Sequence, residues 1–111
     1  MNTVEVLQAA KDRIIERGWC KNVLVDDDGR VCAVGALYDG TVENMYGNSD
    51  FISSHHKEIM DAEFFLTKCS PPVPGAPWGD IVSYNNFSTT TVNDVLNVFD
   101  QAILKAKEEG N

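Results

Sequence analysis

The amino-acid sequence predicts a mainly α fold: one compact domain over residues 1–111, built from four to five helices, with a short β-hairpin near residues 23–32. Three observations carry this expectation. Each end of the chain holds an amphipathic segment that opens on a capping signal and recurs at helical spacing. Between them, residues 50–68 carry an apolar stripe that alternates by three and four. The stretch that reads as extended is a small ribbon around an Asp-Gly pair, too short to stand without helices to pack on.

Asn2 and Glu5 have the spacing of a capping box, in which the Asn side chain accepts the third helical amide. Val4, Leu7, Ala10 and Ile14 follow on one face, widened by Val6 and Ile15. Arg13 and Arg17 fall in the last turn, where cations suit the helix dipole, and Gly18 supplies the left-handed residue that stops the helix. A first helix over about residues 3–17 results. Next, Val23-Leu24-Val25 and Arg30-Val31-Cys32 flank Asp26-Asp27-Asp28-Gly29, and an Asp-Gly pair favours a tight hairpin turn. In the small-sided run 32–38, Ala33, Gly35 and Ala36 permit close approach of another backbone. It reads as a buried short helix, or else as continuation of the second strand; Asp39-Gly40 ends it either way.

After a loop at residues 46–49, a single helix is expected over about residues 50–68. Its stripe is Ile52, His55, Ile59, Ala62, Leu66 and Cys69, broadened by Phe51, Phe64 and Phe65. The four prolines from Pro71 to Pro77 remove donors and bias their predecessors to extended form, which makes that segment a connector within the domain. Residues 78–85 suit one or two helical turns with Trp78, Ile81, Val82 and Asn85 on one side, ended by Asn85-Asn86. Thr91 and Asp94 repeat the capping-box spacing, and Val92, Val95, Leu96, Phe99, Ile103 and Ala106 draw the stripe of a last helix ending near Gly110.

Nine Lys and Arg face seventeen Asp and Glu, a formal charge of −8 with a sequence pI near 4.5. Nucleic-acid binding draws much of its affinity from Lys and Arg replacing counterions at phosphates, so direct contact with DNA, RNA or an anionic membrane is not expected. A basic protein partner suits the charge better. The start of the chain has neither the basic head nor the apolar run of a signal peptide, and no stretch reaches the roughly 20 apolar residues that span a bilayer. Cys20, Cys32 and Cys69, without a repeated spacing, read as free thiols, and the expected location is the cytoplasm.

Candidate chemistry is sparse. With Gly29 at position 6 of a calcium loop, positions 1 and 12 would be Leu24 and Gly35, neither a side-chain ligand, so Asp26-Asp27-Asp28 reads as a solvated turn. His55 and His56 are adjacent and point about 100° apart on a helix, and no Cys-x-x-Cys is present, so no metal or other cofactor is expected; His55 reads as a core histidine. Cys20 has a neighbouring cation in Lys21, but no local sequence feature holds a base against it. The aromatic residues Trp19, Tyr38, Tyr46, Trp78 and Phe87 lie at element ends and in loops, where they anchor partners or lid the core.

Gly18-Trp19-Cys20 followed by the run from Asp28-Gly29-Arg30 through Gly35-Ala36-Leu37 resembles the signature of a small domain family of unknown function, encoded by actinobacteria and their bacteriophages. The second half is similar too: residues 81–86, then Thr91, Asp94-Val95-Leu96 and Phe99-Asp100-Gln101-Ala102-Ile103. The likeness covers residues 4–37 and 80–106. It implies a helical domain in an actinobacterial or phage setting, and no activity. Asn86 stands where the family pattern has Asp, and residues 39–77 match nothing in it.

Two functional expectations follow. The first is a non-enzymatic protein-binding module, a phage-encoded protein acting on a host factor in the host cytoplasm, with Asp26, Asp27, Asp28, Tyr46 and Trp78 as partner contacts. The alternative is a small-molecule or nucleotide binder, or a cysteine-dependent enzyme, with a pocket near Trp19, Cys20 and Cys32. A homodimer through the Gly35-Ala36 surface is a further possibility.

Overall fold

The first helix, α1 (Thr3–Arg17), begins where its capping box places it. In this computed structural model, which describes residues 1–110, the Asn2 side chain accepts the Glu5 amide at 2.8 Å and the Glu5 carboxylate accepts the Asn2 amide at 2.9 Å. Gly18, at φ +91°, ends the helix with its N–H still bonded to the Ile14 carbonyl. The last helix, α6 (Val92–Glu108), opens the same way at Thr91 and Asp94. Val6, Leu7, Ala10 and Ile14 of α1 are buried, as are Val95, Phe99, Ala102 and Ala106 of α6. The two faces pack on one another and on α4 (His56–Cys69). Each large apolar side chain withdrawn from water there contributes about 1.5–3 kcal/mol.

Against this three-helix frame lies α2 (Ala33–Leu37), all five residues of which are buried. Gly35 is the reason it fits: a Cβ built there would lie 2.0 Å from the Leu24 carbonyl oxygen. The small-residue run is therefore a helix rather than a strand, and the close backbone approach is to residue 24 of the same chain. Gly35 and Ala36 offer no surface to a second copy, so the dimer surface read there from sequence is occupied internally. Arg13 and Arg17 do more than complement their own helix dipole. Both pair with Asp39, at 3.2 and 2.9 Å, and donate to the carbonyls of Ala36 and Gly40 just at and beyond the end of α2.

Two sequence expectations change. The hairpin shrinks to one antiparallel bridge, Val25 with Val31. Val31 donates its N–H to Gly18 and accepts the Cys20 N–H, which pairs it in parallel with Trp19 on its other edge; the antiparallel ladder stops after the Cys32 N–H bond to the Leu24 carbonyl because α2 begins at Ala33. The expected 50–68 helix is two, α3 (Ser49–Ser54) and α4, broken at His55 with φ −129° and ψ 28°. The break lets Phe51 lie under the Arg13 guanidinium, 5.0 Å from its centroid, and lets Ile52 close on Gly47. Side-chain packing outweighs one turn of helix. His55 is consequently not in the core: it is half-buried, its ring tilted against Phe51 at 5.1 Å. Phe64 faces solvent, whereas Phe65 is buried.

The proline segment ends in a turn where Val73 and Ala76 exchange main-chain bonds and both side chains are buried. Asp80 then caps α5 (Ile81–Asn86), which packs on α2 and α4 and brings the helices among the described residues to six. Replacing Gly35 with Ala forces the Leu24 backbone and α2 apart. We expect Gly35→Ala to cost roughly 3 kcal/mol or more in urea-unfolding experiments, with Ala36→Gly costing far less.

Candidate functional site

The segment from Gly18 to Cys32 has little regular structure, so its main-chain groups need partners elsewhere. The side chain of Asn85, on the inner face of α5 and 1% exposed, supplies several. Its Oδ1 accepts the Trp19 Nε1–H at 2.7 Å and the Ala33 N–H at 3.1 Å. Its Nδ2 donates to the Cys20 carbonyl at 3.2 Å and to Asn86 Oδ1 at 3.0 Å. Asn86 Oδ1 also accepts the Asn22 N–H at 2.8 Å, while Asn22 holds the left-handed φ of +72° that Asn tolerates. Lys21 closes the far side, donating to the carbonyls of Phe87 and Ser88 with its ammonium 5.3 Å from the Trp19 ring centroid.

Beside this knot lies a groove of about 330 Å³. Val23 and Leu24 form one wall, and Cys32, Ala33 and Val34 at the start of α2 form the floor. Val82 of α5 and Met45 and Tyr46 of the loop before α3 also line it, and its polar lining residues are Asn22, Asn85 and Asn86. No charged side chain lines it among the described residues. The rim is apolar and wet: Tyr46 is 84% exposed, and Val23, Met45 and Val82 are each nearly half exposed.

Residues 1–105 match a family of unknown function (DUF6197). The chain belongs to that family. No curated relative and no solved structure matches it. The DUF6197 match runs continuously through residues 39–77, which the sequence resemblance left outside, and so includes the loop that carries Met45 and Tyr46.

In this DUF6197 chain the sequence-predicted contacts are dispersed. Asp26 is spent on its own turn, where its carboxylate accepts the Asp28 and Arg30 amides and the Arg30 guanidinium at 2.6 Å. Desolvation pulls its carboxyl upward, but these hydrogen bonds outweigh that and hold it below the usual range. Asp27 and Asp28 are exposed at the tip. Of the five candidates, Tyr46 reaches the groove; Trp78, 76% exposed, precedes α5 and does not line it. Of the three residues of the alternative reading, Cys32 is in the groove floor. Trp19 and Cys20 sit behind it, engaged with Asn85 and with the Arg30 carbonyl, which accepts the Cys20 thiol at 3.3 Å. Sequence reasoning passed over Asn85 and Asn86 as a helix stop. The available signal was an Asn at i+4 from Ile81 on the apolar side of α5.

Neither thiol near the groove is an activated nucleophile. Desolvation, followed by the neighbouring Cys32 and Asp26, pushes Cys20 up to about 11. Burial also raises Cys32, although its sulfur accepts the Gly35 amide at 3.3 Å as the cap of α2. Lys21, the sequence-level activator, is turned to carbonyls instead. Among the described residues no three His, Cys, Asp or Glu side chains gather as metal ligands, and no helix is long and apolar enough to cross a membrane.

Two measurements test this geometry. Asn85→Ala strands the Trp19 and Ala33 donors and the Cys20 acceptor in a buried setting. At about 1–3 kcal/mol for each unpaired group, the variant should lose several kcal/mol in chemical denaturation, with a red-shifted Trp19 fluorescence. Because Cys20 is protonated until well above neutrality, its alkylation by iodoacetamide at pH 7.5 should run far slower than that of free cysteine and accelerate up to about pH 11. A fast phase at pH 7.5, assigned to Cys20 by mass spectrometry, would contradict the buried-thiol geometry.

Proposed function

We propose that this DUF6197 protein is a non-enzymatic binding module that docks a partner protein on the groove between α2, α5 and the Tyr46 loop. The observation that carries the reading is the apolar rim. Tyr46, Met45, Val23 and Val82 stand exposed around one groove, and together they form the kind of patch that marks an interaction site rather than scattered surface apolars. An exposed Tyr at the mouth of a pocket also has the character of an interface anchor. The partner surface around the inserted portion is basic in this reading. The net charge of −8 supports this, as does a shallow cleft elsewhere on the surface where three carboxylates, Glu16, Asp28 and Glu43, outnumber the one cation, Arg17. The resemblance to domains carried by actinobacteria and their phages supports a phage-encoded protein that engages a host factor in the host cytoplasm.

A second reading uses the same groove for a small apolar ligand, because its volume reaches the lower end of the roughly 300–1,000 Å³ range of ligand pockets. The exposed rim favours the protein, since a molecule that fills the groove alone leaves Tyr46 in water. The test is affinity capture from an actinobacterial lysate with wild type, Tyr46→Glu and Val82→Glu. The wild type should retain a stoichiometric partner. Both variants, altered at exposed positions, should keep the wild-type melting temperature within about 2 °C and lose the partner. Retention by both variants removes the groove from the interaction. A melting temperature raised by a small apolar compound, with no protein captured, transfers support to the second reading.

A further inference from the structure

We infer that the groove reads a peptide backbone: it takes an uncharged apolar segment of the partner protein, seats an aliphatic side chain between Val23, Val34 and Val82, and pins a main-chain carbonyl of that segment with the Asn86 side-chain N–H₂. This rests on the protein-docking reading and specifies what the groove recognises.

The orientation of two amide groups carries the inference. An indole N–H and a main-chain N–H can only donate, so the atom of Asn85 that meets Trp19 and Ala33 is its oxygen. Its nitrogen therefore faces the Cys20 carbonyl, which can only accept, and Asn86. Asn86 in turn meets two donors, Asn85 Nδ2 and the Asn22 main chain, and must present oxygen to both. The chemistry of the neighbours fixes both amides. Asn86 lines the groove, and its Nδ2 is thus left with two hydrogens that meet no acceptor among the described residues. The Asn22 carboxamide beside it is likewise uncommitted and exposed.

What such a site can hold follows from polarity. No lining residue is charged, so an ammonium or carboxylate placed inside would lose its hydration without a counter-charge, at a cost a neutral group avoids. A carboxamide donor next to an apolar floor matches a main-chain carbonyl flanked by an aliphatic side chain. The exposed rim requires an occupant that continues beyond the groove, and a polypeptide does.

The test is NMR titration of the isotope-labelled full-length protein with acetyl-Leu-Leu-amide, sodium octanoate and 1-hexanol, on wild type and Asn86→Asp. This substitution keeps the oxygen that accepts from Asn85 and Asn22 and removes the free donor. The peptide should shift the Asn86 side-chain N–H₂ signals together with the methyls of Val34 and Val82, and its affinity should fall about tenfold or more in Asn86→Asp. Octanoate should bind far more weakly than the peptide. Equal affinity of wild type and variant for the peptide overturns the inference, as does hexanol or octanoate binding as tightly as the peptide. Should Asn86→Asp not fold, the wild-type Asn86 N–H₂ signals decide alone: unmoved by saturating peptide, they overturn it. Loss of the captured partner in Tyr46→Glu with no response to acetyl-Leu-Leu-amide overturns the backbone-reading inference and leaves protein docking standing. Retention of the partner together with no peptide response overturns both.

Discussion

One carboxamide organises the irregular segment between α1 and α2. A chain that leaves α1 at Gly18 and enters α2 at Ala33 has some fourteen intervening residues whose main-chain groups cannot all be satisfied by two isolated bridges. Asn85 reaches in from a helix more than fifty residues later and uses all four of its hydrogen-bonding positions on that segment and its neighbour. In a buried site each of those bonds is stronger than in water, and each unmade one is correspondingly expensive. The position of Trp19, the entry angle of α2 and the groove floor all depend on it. So does Asn22, since the left-handed turn there is held by the next residue of the same helix.

Local chemistry made the ends of the chain legible and left the middle less so. Both capping boxes form as the Asn2/Glu5 and Thr91/Asp94 spacings require, because the bonds lie within one turn and no tertiary contact competes with them. Gly35 was legible as a point of backbone contact because only a missing Cβ permits such an approach. The break at His55 had no sequence signal. Neither Pro nor Gly stands there, and the stripe continues through it; Arg13 on Phe51 and Gly47 under Ile52, both from outside the helix, decide it. The hairpin stays short for a related reason: one residue past Cys32 the chain turns into α2, and the Ala33 N–H goes to Asn85 instead of to a strand partner.

The candidate site was legible in fragments. Cys32 and Tyr46 were singled out separately, one as a thiol and one as a loop aromatic, and nothing in their spacing says that they share a groove. The acidic turn drew attention through its charge. Yet Asp26, its most committed carboxylate, works as a turn-former, so a run of like charges was in part a local scaffold. Periodicity reports which face of a helix is buried. It does not report which polar residue on that face has its hydrogen bonds satisfied, and the whole site turns on that distinction.

Asn85 and Asn86 show why. They are adjacent, chemically identical, and lie on the same short helix, but their surroundings give them opposite parts. Asn85 is saturated and buried, so any change to it is a change to the fold. Asn86 spends its oxygen on the same knot and keeps its nitrogen uncommitted at the groove. A carboxylate at position 86 could accept the same two bonds, so the knot's hydrogen bonds do not themselves distinguish Asp from Asn there. The two are not equivalent for the groove: Asn adds a neutral donor where Asp adds a negative charge. Residue 86 is therefore a position where the knot's hydrogen bonds are indifferent and the chemistry of the site is not. A chain carrying Asn there has a groove without formal charge, set in a molecule whose net charge is −8.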